Sequence, residues 1–214
     1  MKSNLEEIGT HTAKRVSWWR KQRINLLRLV ALLFGALLFI FQPIFDSTSG
    51  IRAGMDSLGL ILLFIGIFGR FWSIVYIGGR KSKLVFDYGP YSICRHPLYL
   101  SSTIATIGIG LAFGSVVLAA GLGLVVFFIL YETARHEERH LLAQFESEYR
   151  EYATRVPRII PNLSLWKNPA EINLDTRALY GNFKDALVLI CFIPISRIWN
   201  WLREEYDVGF ISLL

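Results

Sequence analysis

Charge is scarce in this chain. Only 19% of its 214 residues are Asp, Glu, Lys or Arg, against 53% hydrophobic, and the mean hydropathy is +0.39. A water-exposed globule keeps about a quarter of its residues charged, so an ordinary soluble domain is excluded. Cysteine is nearly absent. Cys94 and Cys191 stand far apart with no ligand-forming partner at useful spacing, which excludes a disulfide framework and a zinc site. Both are expected to be free thiols, and no metal is expected. There is no signal-peptide grammar: some 20 polar and basic residues precede the first apolar run, and no small-residue cleavage site follows it. That run is expected to persist as a transmembrane helix. Internal repeats and low-complexity tracts are also missing. The formal charge of +6 lies beside apolar segments rather than along a soluble reading face, so nucleic acid is not an expected partner.

What the chain does have is apolar runs close to the span of a bilayer. The first covers about 24–45, with Arg28 placed to reach the interface and Pro43 closing it. Ahead of it, Trp18 and Trp19 with Lys14, Arg15, Arg20, Lys21 and Arg23 form an aromatic and cationic anchor. A second run, about 58–78, is interrupted by Arg70, which must either snorkel or find an interior partner. A third and a fourth, about 98–113 and 115–131, are joined by a turn near Gly114 and read as an antiparallel hairpin. Each is somewhat short for a perpendicular span, and small residues (Gly108, Gly110, Ala112, Ala119, Ala120, Gly121, Gly123) favour close packing.

Charges return at residues 132–161. Leu141, Leu142, Phe145, Tyr149 and Tyr152 recur at helical spacing there, so an amphipathic helix should continue out of the fourth run and end before Pro157. After a polar connection, a last apolar stretch at about 186–202, containing Pro194 and Arg197, is read as a fifth membrane-embedded helix. The expected fold is all-α: a polytopic membrane bundle of four to five membrane helices with a cytosolic amphipathic helix, in a single domain over 1–214. Seven Lys or Arg lie between Lys2 and Arg28, Arg52 alone follows the first run, and Arg80, Lys81, Lys83 and Arg95 follow the second. The positive-inside rule then places the N-terminus, the 79–97 loop and the stretch from 132 to about 180 in the cytoplasm.

The hairpin makes neighbours of two polar clusters. "GPYSICRHPLY" enters the third run and "RHEERH" leaves the fourth. Arg95, His96 and Tyr99 thereby face Glu137 and Glu138. Such a pair suits a ligand carrying both a carboxylate and an ammonium or hydroxyls. Pro97 suits a helix start, where free amides can receive an anion.

These strings, with "FESEYREYATRVPRIIP" after them, resemble the integral membrane methyltransferases of the isoprenylcysteine carboxyl methyltransferase and phosphatidylethanolamine N-methyltransferase superfamily, over residues 80–161. The resemblance implies S-adenosylmethionine bound at the cytosolic membrane face, methyl transfer to a lipophilic acceptor entering from the bilayer, and a cofactor-binding core at about 80–161 with a C-terminal extension, 162–214. It places Lys83, Leu84, Val85, Tyr91, His96, Pro97, Leu98, Tyr99 and Glu137 at the cofactor, supported by Arg95, Glu138 and the Tyr149/Tyr152 helix. By charge logic Arg95 and His96 would hold the methionine carboxylate and Glu137 the amino group or ribose.

Two positions depart from the family pattern. Ser101 stands where a glycine is frequent. Tyr131, Glu132 and Thr133 stand where the carboxyl-methylating branch has an arginine. The acceptor therefore stays open between a carboxylate, a phospholipid amine and a thiol. A carboxylate or thiolate needs no base, whereas an amine would pass its proton to His96, Glu138 or Glu132. Two other functions fit an embedded bundle of this kind: an NADPH-dependent reductase of the sterol-reductase type, and a non-catalytic lipid-binding protein.

Overall fold

The computed structural model describes residues 22–43, 45, 49–78, 85–172, 174–206 and 211–213. The expected anchor at 14–21 lies outside the described residues, as do Arg80, Lys81, Lys83 and Leu84.

Among the described residues the protein is all-helical apart from one short strand pair. Helix α1 is Gln22–Ile40, followed by the three-residue strand β1, Phe41–Pro43. Then come α2 (Gly50–Ile77), the short α3 (Pro90–Ile93), α4 (Pro97–Ala112), α5 (Val116–Arg155) and α6 (Thr176–Tyr206). Strand β2, Ile211–Leu213, pairs in parallel with β1. Four of the helices, α1, α2, α5 and α6, are long and apolar enough to cross a membrane. The 16-residue α4 rises only about 24 Å, short of a hydrocarbon core of about 30 Å, as its sequence suggested. The large apolar side chains of α1, α2 and the first half of α5 point outward, among them Leu32, Phe68 and Phe128. In water that surface would be an aggregation site; in lipid it is the solvated face.

Two boundaries differ from the hydropathy reading. Helix α2 starts at Gly50, eight residues before the apolar run, because Ser49 caps it by accepting from the Arg52 amide and because Arg52 pairs with Asp56 at 3.2 Å. Both charged residues are buried, so hydropathy alone could not admit them to the helix. Helix α6 starts ten residues before its apolar stretch. Helix α5 is one element of 40 residues, the fourth run and the amphipathic helix together as expected, with a break at Glu146 where φ is 33°.

Helices α2 and α4 pack backbone to backbone. A Cβ on Gly108 would stand 2.6 Å from the Gly59 carbonyl oxygen, and one on Gly59 would stand 2.8 Å from the Gly108 oxygen. Without a hydrophobic drive between helices in lipid, such close van der Waals approach is what holds a bundle. The same contact accommodates Ser101, whose side chain sits against Gly69 and donates to the Pro97 carbonyl at 2.8 Å. Of the small residues picked from the hairpin sequence, Ala120 and Gly121 do not contribute to packing; both are exposed, and nothing lies within 4 Å of a Cβ placed on Gly121.

Candidate active site

The stretch from 89 to 96 is held by the segment that follows α5. The Arg95 amide donates to the Pro157 carbonyl (2.9 Å), the His96 amide to Arg158 (3.2 Å) and the Asn162 amide to Ile93 (2.9 Å). The Gly89 amide donates to the Lys167 carbonyl (2.7 Å), and the Lys167 amide donates back to the Ser92 hydroxyl (3.0 Å). The Tyr152 hydroxyl donates to the Tyr91 carbonyl (2.8 Å). A polar, proline-bearing connection thus satisfies its backbone without forming a sheet. Cys94 is a buried part of this clasp, its thiol against the Arg158 and Ile159 carbonyls. Burial pushes that thiol up to about 11, which leaves it unreactive. Both cysteines are free, as expected.

Adjacent residues on α5 lie about 100° apart, so Glu137 and Glu138 meet different surroundings. Glu138 is buried above Ala134 and receives three cationic or imidazole partners. Arg95 Nη1 lies 3.1 Å and His96 Nε2 3.0 Å from its Oε1, while Arg158 grips it bidentately, with Nη2 to Oε2 at 2.7 Å and Nε to Oε1 at 3.0 Å. Arg158 Nη1 also donates to the Tyr131 hydroxyl at 2.9 Å. Burial alone would raise the Glu138 carboxyl, but the hydrogen bonds from His96 and Arg158, with the charges of His96 and Arg95, outweigh it and hold it down at about 2. Arg158 is pushed up in turn, chiefly by its hydrogen bond to Glu138. Two guanidiniums share one carboxylate, so the cluster keeps a positive surplus. Glu137 instead turns to a cavity, where Tyr99 donates to its Oε1 at 2.7 Å. The Tyr99 ring stacks on the His96 ring, centroids 5.5 Å apart and planes 3° from parallel.

That cavity measures about 240 Å³, a little under the roughly 300 Å³ at which small-molecule sites begin. One wall is apolar and aromatic: Ile74, Val85, Phe86, Tyr91, Leu98, Leu141. The other end carries Arg95, His96, Tyr99 and Glu137, and Tyr149 and Tyr152 close it. The break in α5 at Glu146 precedes both of these buried tyrosines.

The structure brings Val85, Tyr91, Arg95, His96, Leu98, Tyr99 and Glu137 together around one space. Glu138 stands behind it as the hub of the charge cluster. Pro97 starts α4 and faces a separate apolar groove with Leu100 and Trp72. Glu132 is not brought in; it is half-exposed and pairs with Arg135 at 2.9 Å. Lys83 and Leu84 lie outside the described residues. Sequence reasoning did not pair Arg158 with Glu138, although it stands within the quoted "RVPRIIP". A basic residue one step past a helix-ending proline gives no local sign that it closes on a carboxylate 20 positions earlier. Arg70 is paired to neighbouring helices, donating to Ser102 Oγ and Asp185 Oδ2, each at 2.7 Å.

A bundle of lipid-facing helices with a polar and aromatic cavity at one end is the architecture of an integral membrane protein. The chain belongs to the phospholipid methyltransferase family, whose sequence model matches residues 30–148. Among curated proteins it is 30% identical to the nickel-cobalt-cadmium resistance protein NccN of Alcaligenes xylosoxydans xylosoxydans, over 87% of this chain and 89% of that one. It is 26% identical to protein-S-isoprenylcysteine O-methyltransferase B of Arabidopsis thaliana (72% and 83%). With methanethiol S-methyltransferase 2 of Bradyrhizobium diazoefficiens it shares 31% identity (68% and 64%). No solved structure matches the chain.

Proposed function

We propose that the protein transfers a methyl group from S-adenosylmethionine to a lipophilic, membrane-resident acceptor, at the cytosolic face of the membrane. The observation that carries the cofactor assignment is Arg95. It lines the cavity, yet its buried Nε has no hydrogen-bond partner among the described residues. A buried guanidinium N–H left unpaired is costly, and a ligand carboxylate completes it. Glu137, at the same end, suits an ammonium or ribose hydroxyls, and the wall of Tyr91, Phe86, Ile74 and Leu98 suits a flat adenine. When bound, S-adenosylmethionine supplies an electrophilic methyl on a sulfonium. The contribution of the protein is then mainly orientation of donor and acceptor for an in-line displacement. Arg95, Glu137 and Tyr99 hold one partner by its polar groups, and the aromatic wall excludes water.

The proton question narrows as well. Glu138, held near 2 and bonded on both oxygens, is a poor base, and Glu132 stands away on an exposed face. For an amine the candidate that remains is His96, which lines the cavity with its Nε2 on Glu138, whereas an acceptor that arrives deprotonated needs no base. The cytosolic placement rests on the Lys and Arg count around the pocket end of the bundle. A 2′-phosphate would need further basic residues at the pocket, and Arg158, one candidate, is committed to Glu138 and Tyr131, which weakens the case for the NADPH reading.

The test is calorimetric titration of S-adenosylmethionine, S-adenosylhomocysteine and NADPH into detergent-purified protein. The methionine-derived ligands should bind, and Glu137→Ala should weaken them by about tenfold or more. Binding of NADPH alone would overturn the reading.

A further inference from the structure

A second cavity, of about 600 Å³, lies between α1, α2, α4, α5 and α6. It adjoins the first one, since Ile74, Leu98, Tyr99 and Ala178 line both. Most of its wall is hydrocarbon, from residues such as Leu27, Phe34, Val126 and Leu189. Polar groups converge on it from α1, α2, α4 and α6. Arg70, seven residues before the end of α2, stands about 10 Å along the helix from that end. Its guanidinium holds Ser102 and Asp185, while its buried Nε has no partner among the described residues. Asn182, one turn before Asp185 on α6, is only 4% exposed, and neither its Oδ1 nor its Nδ2 has a partner. A primary amide unsatisfied on both sides, inside a membrane bundle and on a cavity wall, marks a place where a ligand completes the bonding. The sign of that ligand follows from the charges facing the space. Arg23 and Arg70 stand against Asp185 alone.

We propose that this second cavity is the methyl-acceptor site, and that Asn182 and Arg70 select an amphiphile with an anionic head group and an apolar chain. The word acceptor rests on the methyl-transfer reading above; the binding does not. The chain lies along the hydrocarbon wall, and the head reaches Tyr99, where the two cavities meet. In transfer, the anionic oxygen or sulfur of the head gives an electron pair to the methyl carbon. The old carbon–sulfur bond breaks with its pair left on the donor sulfur. No proton is released, so the step needs no base. The methylated head is neutral and loses its attraction to the two guanidiniums.

The experiment measures binding of palmitate, hexadecylamine and hexadecanol in neutral detergent, by displacement of a pyrene-labelled fatty acid, with S-adenosylhomocysteine titrated separately. Palmitate should bind about tenfold tighter than the amine. Asn182→Leu and Arg70→Gln should each weaken palmitate by about fivefold or more while leaving S-adenosylhomocysteine within about twofold. Leu189→Trp, which fills the apolar wall, should weaken all three amphiphiles. Should Asn182→Leu fail to fold, Asn182→Asp keeps the shape and sets a like charge against the head; weaker palmitate binding is again expected. Equal binding of amine and acid, or an Asn182 variant that holds palmitate like the wild type, would overturn the proposal. Loss of both ligands together in a folded Asn182 variant would also overturn it, by showing a purely structural role. If S-adenosylhomocysteine fails to bind the wild type, the methyl-transfer reading falls, while the amphiphile series still decides whether the cavity selects anions.

Discussion

Glu137 and Glu138 are chemically identical, and the helix turns one toward an open space and the other toward two arginines. Glu138→Gln removes the charge on which Arg95, Arg158 and His96 converge, leaving guanidiniums buried without a counter-ion. Such a change costs about 3–5 kcal/mol for a buried pair, so a clear drop in melting temperature is expected by scanning fluorimetry. Glu137→Gln keeps the Tyr99 contact geometry and should melt close to the wild type. The carboxyl of Glu138 titrates near 2 in the folded protein, below its ordinary value of 4.5. Its stabilisation is therefore complete above about 4.5 and is lost as pH falls from there toward 2. An acid titration of wild type and Glu138→Gln should show the wild-type advantage disappearing across that window; an advantage that persists at pH 2 would contradict the assignment.

Among the elements, the α2–α4 contact governs where the pocket residues stand, because α4 carries His96, Leu98 and Tyr99 at its start. Gly108→Leu would drive a side chain into the Gly59 backbone and force the helices apart. Overpacking of this sort costs about 1–3 kcal/mol, and the displaced α4 should weaken cofactor binding although Gly108 is remote from the pocket. Gly121→Leu is the control, since that glycine faces open space, and both stability and binding should be unchanged in it. The hairpin and its charged continuation were legible from hydropathy and helical period. The start of α2 was not, because a buried Arg52–Asp56 pair reads as polar linker until its partner is known.

Across the whole molecule, charged ties join helices distant in sequence. Asp56 binds Arg52 at 3.2 Å and Arg197 at 2.7 Å, linking α2 to α6 at the end far from the pocket, while Arg70 and Asp185 link the same two helices nearer to it. Asp56→Asn should destabilise the protein by about 3 kcal/mol, because it strands the buried Arg52, whereas Arg197→Ala, at an exposed arginine, should cost much less. Unfolding followed by tryptophan fluorescence would compare them. From sequence alone, the apolar runs, the hairpin and the "RHP" and "EE" strings determined a membrane bundle with a polar pocket at one end, since each depends on residues close along the chain. Only tertiary structure decided that Arg158 closes on Glu138, that Glu132 stays outside, and that Arg70 and Asn182 share a second cavity. Those outcomes depend on how separate helices are rotated against one another, and that rotation is set by packing rather than by any local period.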